Sequence, residues 1–139
     1  MREILFRAKR KDNGEWVEGQ YAYLLNPHTE NGEPVKHLIC NGTNVFNYEV
    51  DPDTLCQYTG LKDKNGNRIW ENDICVLHTN SIDEEDGYFK VEYDKDNARF
   101  VFLGVSLQLD FEFIRDDECE VVGTIFEHPE LQEYLLRYL

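Results

Sequence analysis

The chain has 139 residues, of which 41% are hydrophobic and 13% aromatic, and it carries a formal net charge of −14. That length fits one domain with a packed core, and the apolar content excludes a disordered chain. The negative balance argues against anionic surfaces, nucleic-acid backbones and membranes alike, as direct partners.

Ile4, Phe6 and Ala8 alternate on one face of a first predicted strand. Asn13-Gly14 then supplies two residues that tolerate positive φ, as a tight hairpin requires. Val17, Gly19, Tyr21, Tyr23 and Leu25 share one face of the second strand. Asn26 to Pro34 reads as a loop, and His37 to Cys40 as a short strand. Asn41-Gly42 turns the chain into a strand at 45–50, which Asp51-Pro52-Asp53 breaks. Asp53 or Thr54 is the expected start of a single helical turn. Lys64-Asn65-Gly66-Asn67 is a further tight turn, followed by Ile69-Trp70 and an alternating strand at 74–78. Residues 81–87 read as an acidic loop. Phe89, Val91 and Tyr93 alternate, and Asp94 to Asn97 turns the chain into a strand at 99–105. Leu107, Leu109, Phe111 and Phe113 alternate next, and Cys119, Val121, Gly123 and Ile125 form a last strand.

The C-terminus is predicted to be helical. Pro129 suits a first helical position, and Leu131, Tyr134, Leu135, Tyr138 and Leu139 keep helical spacing. Leu136 falls off that stripe and is the candidate contact with another subunit. The expectation is a mainly β fold, a small antiparallel barrel or barrel-like sheets with a short C-terminal α-helix. One domain spans 1–139, with a β body to about residue 126 and a helix from about residue 129. Two Asn-Gly turns, each closely followed by a tryptophan (Trp16, Trp70), form a weak repeat signal.

Charge is unevenly distributed. Residues 1–50 hold seven acidic and six basic side chains, and residues 51–139 hold 21 and eight. The early cations are Arg2, Arg7, Lys9, Arg10 and Lys11. Cys40, Cys56, Cys75 and Cys119 have long, irregular gaps and form no C-x-x-C pair. With Met1-Arg2-Glu3 leading straight into a strand, no signal peptide is read. Free thiols and a cytoplasmic location are expected. No run of about 18 apolar residues predicts a membrane span.

Catalytic and metal motifs are not found. His28, His37, His78 and His128 stand alone, without zinc-site spacing. Asp83-Glu84-Glu85-Asp86 lacks the oxygen spacing and the glycine of a calcium loop. Asp73 and Cys75 share a strand face, but a buried cysteine beside a turn aspartate is the simpler reading. Phosphate-cradling glycine motifs are missing. No cofactor, metal or catalytic residue is assigned.

The segment Gln57-Tyr58-Thr59-Gly60-Leu61-Lys62-Asp63-Lys64-Asn65-Gly66, followed by Ile69-Trp70-Glu71-Asn72-Asp73-Ile74, resembles the "QYTGLKDKNG…IYEGDI" signature of the YopX family. Residues 3–8 resemble that family's amino-terminal strand, and residues 121–131 its "VIGNIYENPEL" ending. Trp70 replaces the usual tyrosine. Asn72 stands where glycine is common, and asparagine tolerates left-handed φ. The resemblance implies a phage or prophage protein of largely β fold, with some members forming oligomers and no established activity. The motif residues are Tyr58, Gly60, Asp63, Gly66, Trp70, Asp73 and Ile74. They read as structural: glycines bend the chain, Asp63 and Asp73 bond nearby backbone N–H groups, and Trp70 and Ile74 enter the core.

Two functions of different class follow. The first is a non-enzymatic interaction protein that forms homo-oligomers and binds a host or phage protein. Its sharper form is an acidic inhibitor that imitates DNA charge. The second is an accessory protein that binds nucleic acid through the early cations with Phe6 and Trp16, which the overall charge disfavours.

Overall fold

Period-two alternation places apolar side chains on one face of a strand, and strands bury that face only by pairing into sheets. The computed structural model describes residues 3–25, 34–41, 47–78, 87–104, 107–111 and 118–136. Its contacts divide the chain into two units, Met1–Tyr58 and Thr59–Leu139. The boundary falls inside a strand, β5 (Cys56–Lys62), which is why no linker signal marks it in the sequence.

The first unit contains β1 (Phe6–Lys9), β2 (Trp16–Leu25), β3 (Pro34–Cys40), β4 (Asn47–Glu49), a 3-10 turn (Pro52–Thr54) and the start of β5. The strands are antiparallel, in the order β4-β3-β2-β1-β5. Gly14 (φ +73°) closes the β1–β2 turn as its sequence predicts, and its N–H donates to the Arg10 carbonyl at 2.9 Å. Ala8, Val17, Ile39 and Val50 form the core, with Phe6, Tyr21, Tyr48 and Leu55 packed against them. The 3-10 turn starts at an Asp51 cap instead of at Asp53 or Thr54. The Asp51 carboxylate accepts from Asp53 N–H at 3.0 Å, and the Thr54 hydroxyl donates to the Asp51 carbonyl at 2.7 Å. β3 begins at Pro34, three residues before His37, because the β2 register carries through to Leu25↔Pro34. Proline fits there since β4 pairs only with Leu38–Cys40.

The second unit holds the rest of β5, then β6 (Arg68–Trp70), β7 (Asp73–Leu77), β8 (Gly87–Asp94), β9 (Arg99–Gly104), β10 (Leu107–Asp110), β11 (Cys119–Thr124) and α1 (Pro129–Leu136). β5 and β6 are hydrogen-bonded neighbours, and the second sheet runs β10-β9-β8-β7-β11. Its core joins Ile69, Cys75, Leu77, Phe89, Val91, Phe102 and Cys119. Phe102 stacks on Phe111 (centroids 4.1 Å, 12° between planes) and meets Phe89 edge-on. Gly104 is held to glycine by that packing, since an added Cβ would lie 2.5 Å from the Phe89 ring.

A mainly β fold with one short helix near the C-terminus is what the described residues form. The sheets end at edge strands, so they are open instead of closed into a barrel. The strand read at 107–113 ends at Asp110, and residues 112–117 lie outside the described set, as does the acidic loop at 81–86.

Phe102→Ala is expected to destabilise the protein by about 3–5 kcal/mol through loss of the buried ring and the void it leaves. Urea denaturation read by tryptophan fluorescence measures this, with the Tyr88→Ala change at the surface as a mild comparison.

Candidate functional site

The signature segment closes on the Asp63 carboxylate. Asp63 is 5% exposed, and burial of a carboxylate is tolerated only with donors around it. Oδ1 accepts from the backbone N–H groups of Asn65 and Asn67, each at 2.9 Å. Oδ2 accepts from Val121 N–H at 2.9 Å. Beside it, Lys64 N–H donates to the Cys119 carbonyl at 2.9 Å. β11 is an edge strand of its sheet, so the 63–67 turn covers the side of β11 that β7 leaves open. Gly66 (φ +82°) gives the turn its left-handed step.

Burial pushes the Asp63 pKa up, but the N–H donors of Val121, Asn67 and Asn65 outweigh it and hold it below the usual carboxylate range. A group depressed in the folded state stabilises above its unfolded pKa and loses that contribution as pH falls through the folded value.

A second turn sits at residues 70–73. Asp73, 1% exposed, accepts from Trp70 N–H through Oδ2 at 2.8 Å. Asn72 adopts φ +69°, the conformation anticipated where asparagine replaces glycine. Its N–H donates to the Val91 carbonyl at 2.8 Å, and its carbonyl accepts from Ile125 N–H at 3.0 Å. Trp70 and Ile74 are buried. Tyr58, also buried, belongs to the first unit, where its N–H donates to the Leu5 carbonyl at 2.8 Å. Gly60 (φ +91°) is exposed.

Other residues support the same scaffold without a sequence signal that marks them. The Thr124 hydroxyl accepts from Phe126 and Glu127 N–H (3.1 and 3.2 Å), turning the chain toward α1. At Gly123 an added Cβ would lie 2.3 Å from the His128 ring. Glu120 bonds His78 Nε2 at 2.8 Å and lies 3.5 Å from Lys64 Nζ. The His78 hydrogen bond, then the Lys64 charge, lowers the Glu120 pKa. Cys75 and Cys119 are buried, and the thiol contact with Cys119 followed by burial drives the Cys75 pKa upward, which keeps it a protonated thiol.

A cleft of about 300 Å³ in the second unit is lined by Thr59, Leu61, Arg99, Phe100, Asp110 and Phe111. Its polar groups are already engaged. The Thr59 hydroxyl donates to the Ile69 carbonyl at 2.7 Å. Arg99 bonds Asp110 at 3.1 Å and lies 4.0 Å from Asp94. Among the described residues, no group of three or more His, Cys, Asp or Glu side chains is placed to hold a metal ion. No described helix is long and apolar enough to cross a membrane. Leu136 ends α1, but its side chain lies outside the described set.

In the first unit the early cations do not form one face. The Arg7 guanidinium lies 4.5 Å and the Lys9 ammonium 5.3 Å from the Trp16 ring. Arg10 instead stacks on Tyr48 at 4.5 Å and pairs with Asp12, and Lys11 lies 3.4 Å from Glu49. Phe6 packs on the opposite side of β1, 6.0 Å from the Tyr21 ring. Arg2 is outside the described residues.

The described residues define a mainly β protein of open antiparallel sheets, with turns held by Asp63 and Asp73. The family model described as "YopX protein" matches residues 5–133, and the chain belongs to the YopX family. It is similar to protein EF1440 from Enterococcus faecalis, whose crystal structure superposes with a TM-score of 0.56 at 26% identity, covering 94% of this chain and 99% of that one. No curated protein matches.

Asp63→Ala is expected to cost about 3 kcal/mol at neutral pH, because backbone donors lose a charged acceptor. Asp63→Asn should lose less. Its deficit relative to wild type should hold steady above about 4, the ordinary carboxylate value of the unfolded chain, and shrink as pH falls from there toward the depressed folded-state value. Urea midpoints of the three proteins across pH 3–7 check the sign. At position 72, glycine should be tolerated, while Asn72→Val should lower stability by about 1–2 kcal/mol through left-handed strain.

Proposed function

We propose that this protein is a non-enzymatic interaction protein, encoded by a phage or prophage, that associates with copies of itself and with a further protein. The observation that carries the reading is the use of the signature carboxylates. Asp63 and Asp73 accept from backbone N–H groups, so the groups best suited to acid–base work are committed to holding turns. The cleft beside Leu61 supports the same reading, because its hydroxyl, guanidinium and carboxylate bond to one another's surroundings instead of aiming into free space. Apolar side chains left at the surface, among them Tyr23, Leu24 and Leu25, suit contact with protein.

The charge balance favours a second reading, an acidic inhibitor that occupies a basic host protein. Residues 51–139 carry 21 acidic against eight basic side chains, and such a field draws basic partners and repels polyanions. Direct binding of nucleic acid is the weakest reading, since Arg7 and Lys9 cover Trp16 while Arg10 and Lys11 are paired elsewhere.

Light scattering is expected to give a mass above the 16.4 kDa of one chain at high micromolar concentration; a strict monomer sinks the self-association. Capture from host lysate separates the readings. Retention of a basic protein at low salt and its release at high salt supports the inhibitor, whereas salt-insensitive retention supports an apolar contact. A gel shift with DNA at low salt would displace both.

A further inference from the structure

We infer that the edge of β2 that no described strand covers, from Tyr21 to Leu25, is the surface through which two copies of this chain pair, strand against strand, about a two-fold axis. The inference rests on the self-association proposed above and names its surface.

β2 is ten residues long. On one side, β3 accompanies it to Leu25. On the other, β1 accompanies it only from Trp16 to Gly19. Past Gly19, the Gln20 side chain reaches across to the Ile4 carbonyl at 2.9 Å. From Tyr21 onward, no strand among the described residues lies on that side. Alternate residues of an antiparallel strand turn their N–H and C=O groups to each side, so this edge is a template for another strand.

Its side chains do not guard it. Edges are normally blunted by charge or proline, and Gln20-Tyr21-Ala22-Tyr23-Leu24-Leu25 contains neither. Tyr23, Leu24 and Leu25 are 51%, 53% and 51% exposed. Tyr23 and Leu24 point to opposite faces, so apolar surface flanks the edge on both. The Tyr21 ring lies 5.9 Å from Tyr23 and stacks on His37, to which its hydroxyl is hydrogen-bonded at 2.6 Å. That contact stiffens the base of the strand.

Charge selects the occupant. Two chains of net charge −14 repel, and the repulsion is least where facing segments carry no charge. An uncharged strand also offers nothing to a basic partner. Antiparallel pairing of identical strands satisfies two-fold symmetry by construction. Under that symmetry each residue near the axis lies close to its own copy, so a charge of either sign placed there meets a like charge.

Sedimentation equilibrium of the full chain tests this with Leu24→Lys and Leu24→Glu, and with Tyr88→Lys as a control at an exposed site in the other unit. The wild type and the control should form dimers of twice 16.4 kDa, and each Leu24 variant should weaken the dimer at least about tenfold. Hydrogen exchange of the wild type above and below its dissociation constant gives a readout free of mutation: amides within 21–25 should slow only in the dimer. A wild type that stays monomeric overturns the self-association reading itself. A dimer that both Leu24 variants retain, or whose 21–25 amides exchange at the monomer rate, overturns the β2 surface and leaves self-association standing. Rescue by one sign of charge would show a non-identical partner face and likewise overturn it.

Discussion

The second unit depends on a single buried carboxylate. A turn of five residues has more backbone donors than it can satisfy internally, and the edge of a sheet has an unsatisfied row of its own. Asp63 meets both needs, because Oδ1 faces Asn65 and Asn67 while Oδ2 faces Val121. The bond to Val121 joins residues 58 positions apart, so it fixes tertiary structure as well as a turn. Lys64 N–H to the Cys119 carbonyl then places a second bond on the same edge. Without the carboxylate, β11 would be an exposed edge and the hairpin of β5 and β6 would lose its anchor to it. The 70–73 turn repeats the device on a smaller scale, with Asp73 holding Trp70 N–H and Asn72 bonding to Val91 and Ile125.

What was legible in the sequence is what local chemistry dictates. Asn-Gly at 13–14 and 65–66 requires left-handed backbone, and Gly14 and Gly66 adopt it. Asparagine at 72 in place of glycine reads as a residue able to hold positive φ, and it does. Asp63 reads as a turn aspartate bonding N–H groups nearby. Its bond to Val121 does not read, since nothing local encodes a partner so distant in sequence. The 3-10 turn starts ahead of Asp53 and Thr54 because three acidic or hydroxyl residues compete for the cap, and the one whose carboxylate reaches Asp53 N–H is Asp51.

The second strand shows a different limit. Alternation puts Val17, Tyr21, Tyr23 and Leu25 on one face, and the pattern alone does not tell which of them are covered. Val17 is buried and Tyr23 and Leu25 are exposed, because β1 ends its pairing at Gly19. Periodicity reports which side chains share a face, and only the lengths of neighbouring strands decide how far that face is covered. The choice between a barrel and barrel-like open sheets does not read either, for a related reason: strand count and turn spacing are common to open and closed sheets, and closure is a property of which edges meet.

These constraints separate the roles of the two kinds of polar and apolar group in the chain. The Asp63 carboxylate is enclosed and bonded to backbone N–H groups, which hold its pKa below the usual range despite burial. Cys75, in contrast, is held protonated by its neighbour and its burial, so the thiol most deeply placed among the carboxylates is chemically quiet. The chain carries a net charge of −14, which sets copies of it against one another. An uncharged apolar strand end in such a field is a local reversal of that rule, and it lies in the unit that carries the smaller share of the net charge. In the pairing proposed above, repulsion elsewhere contributes to specificity: approach is penalised in most orientations, and the orientation that opposes the two uncharged edges is penalised least.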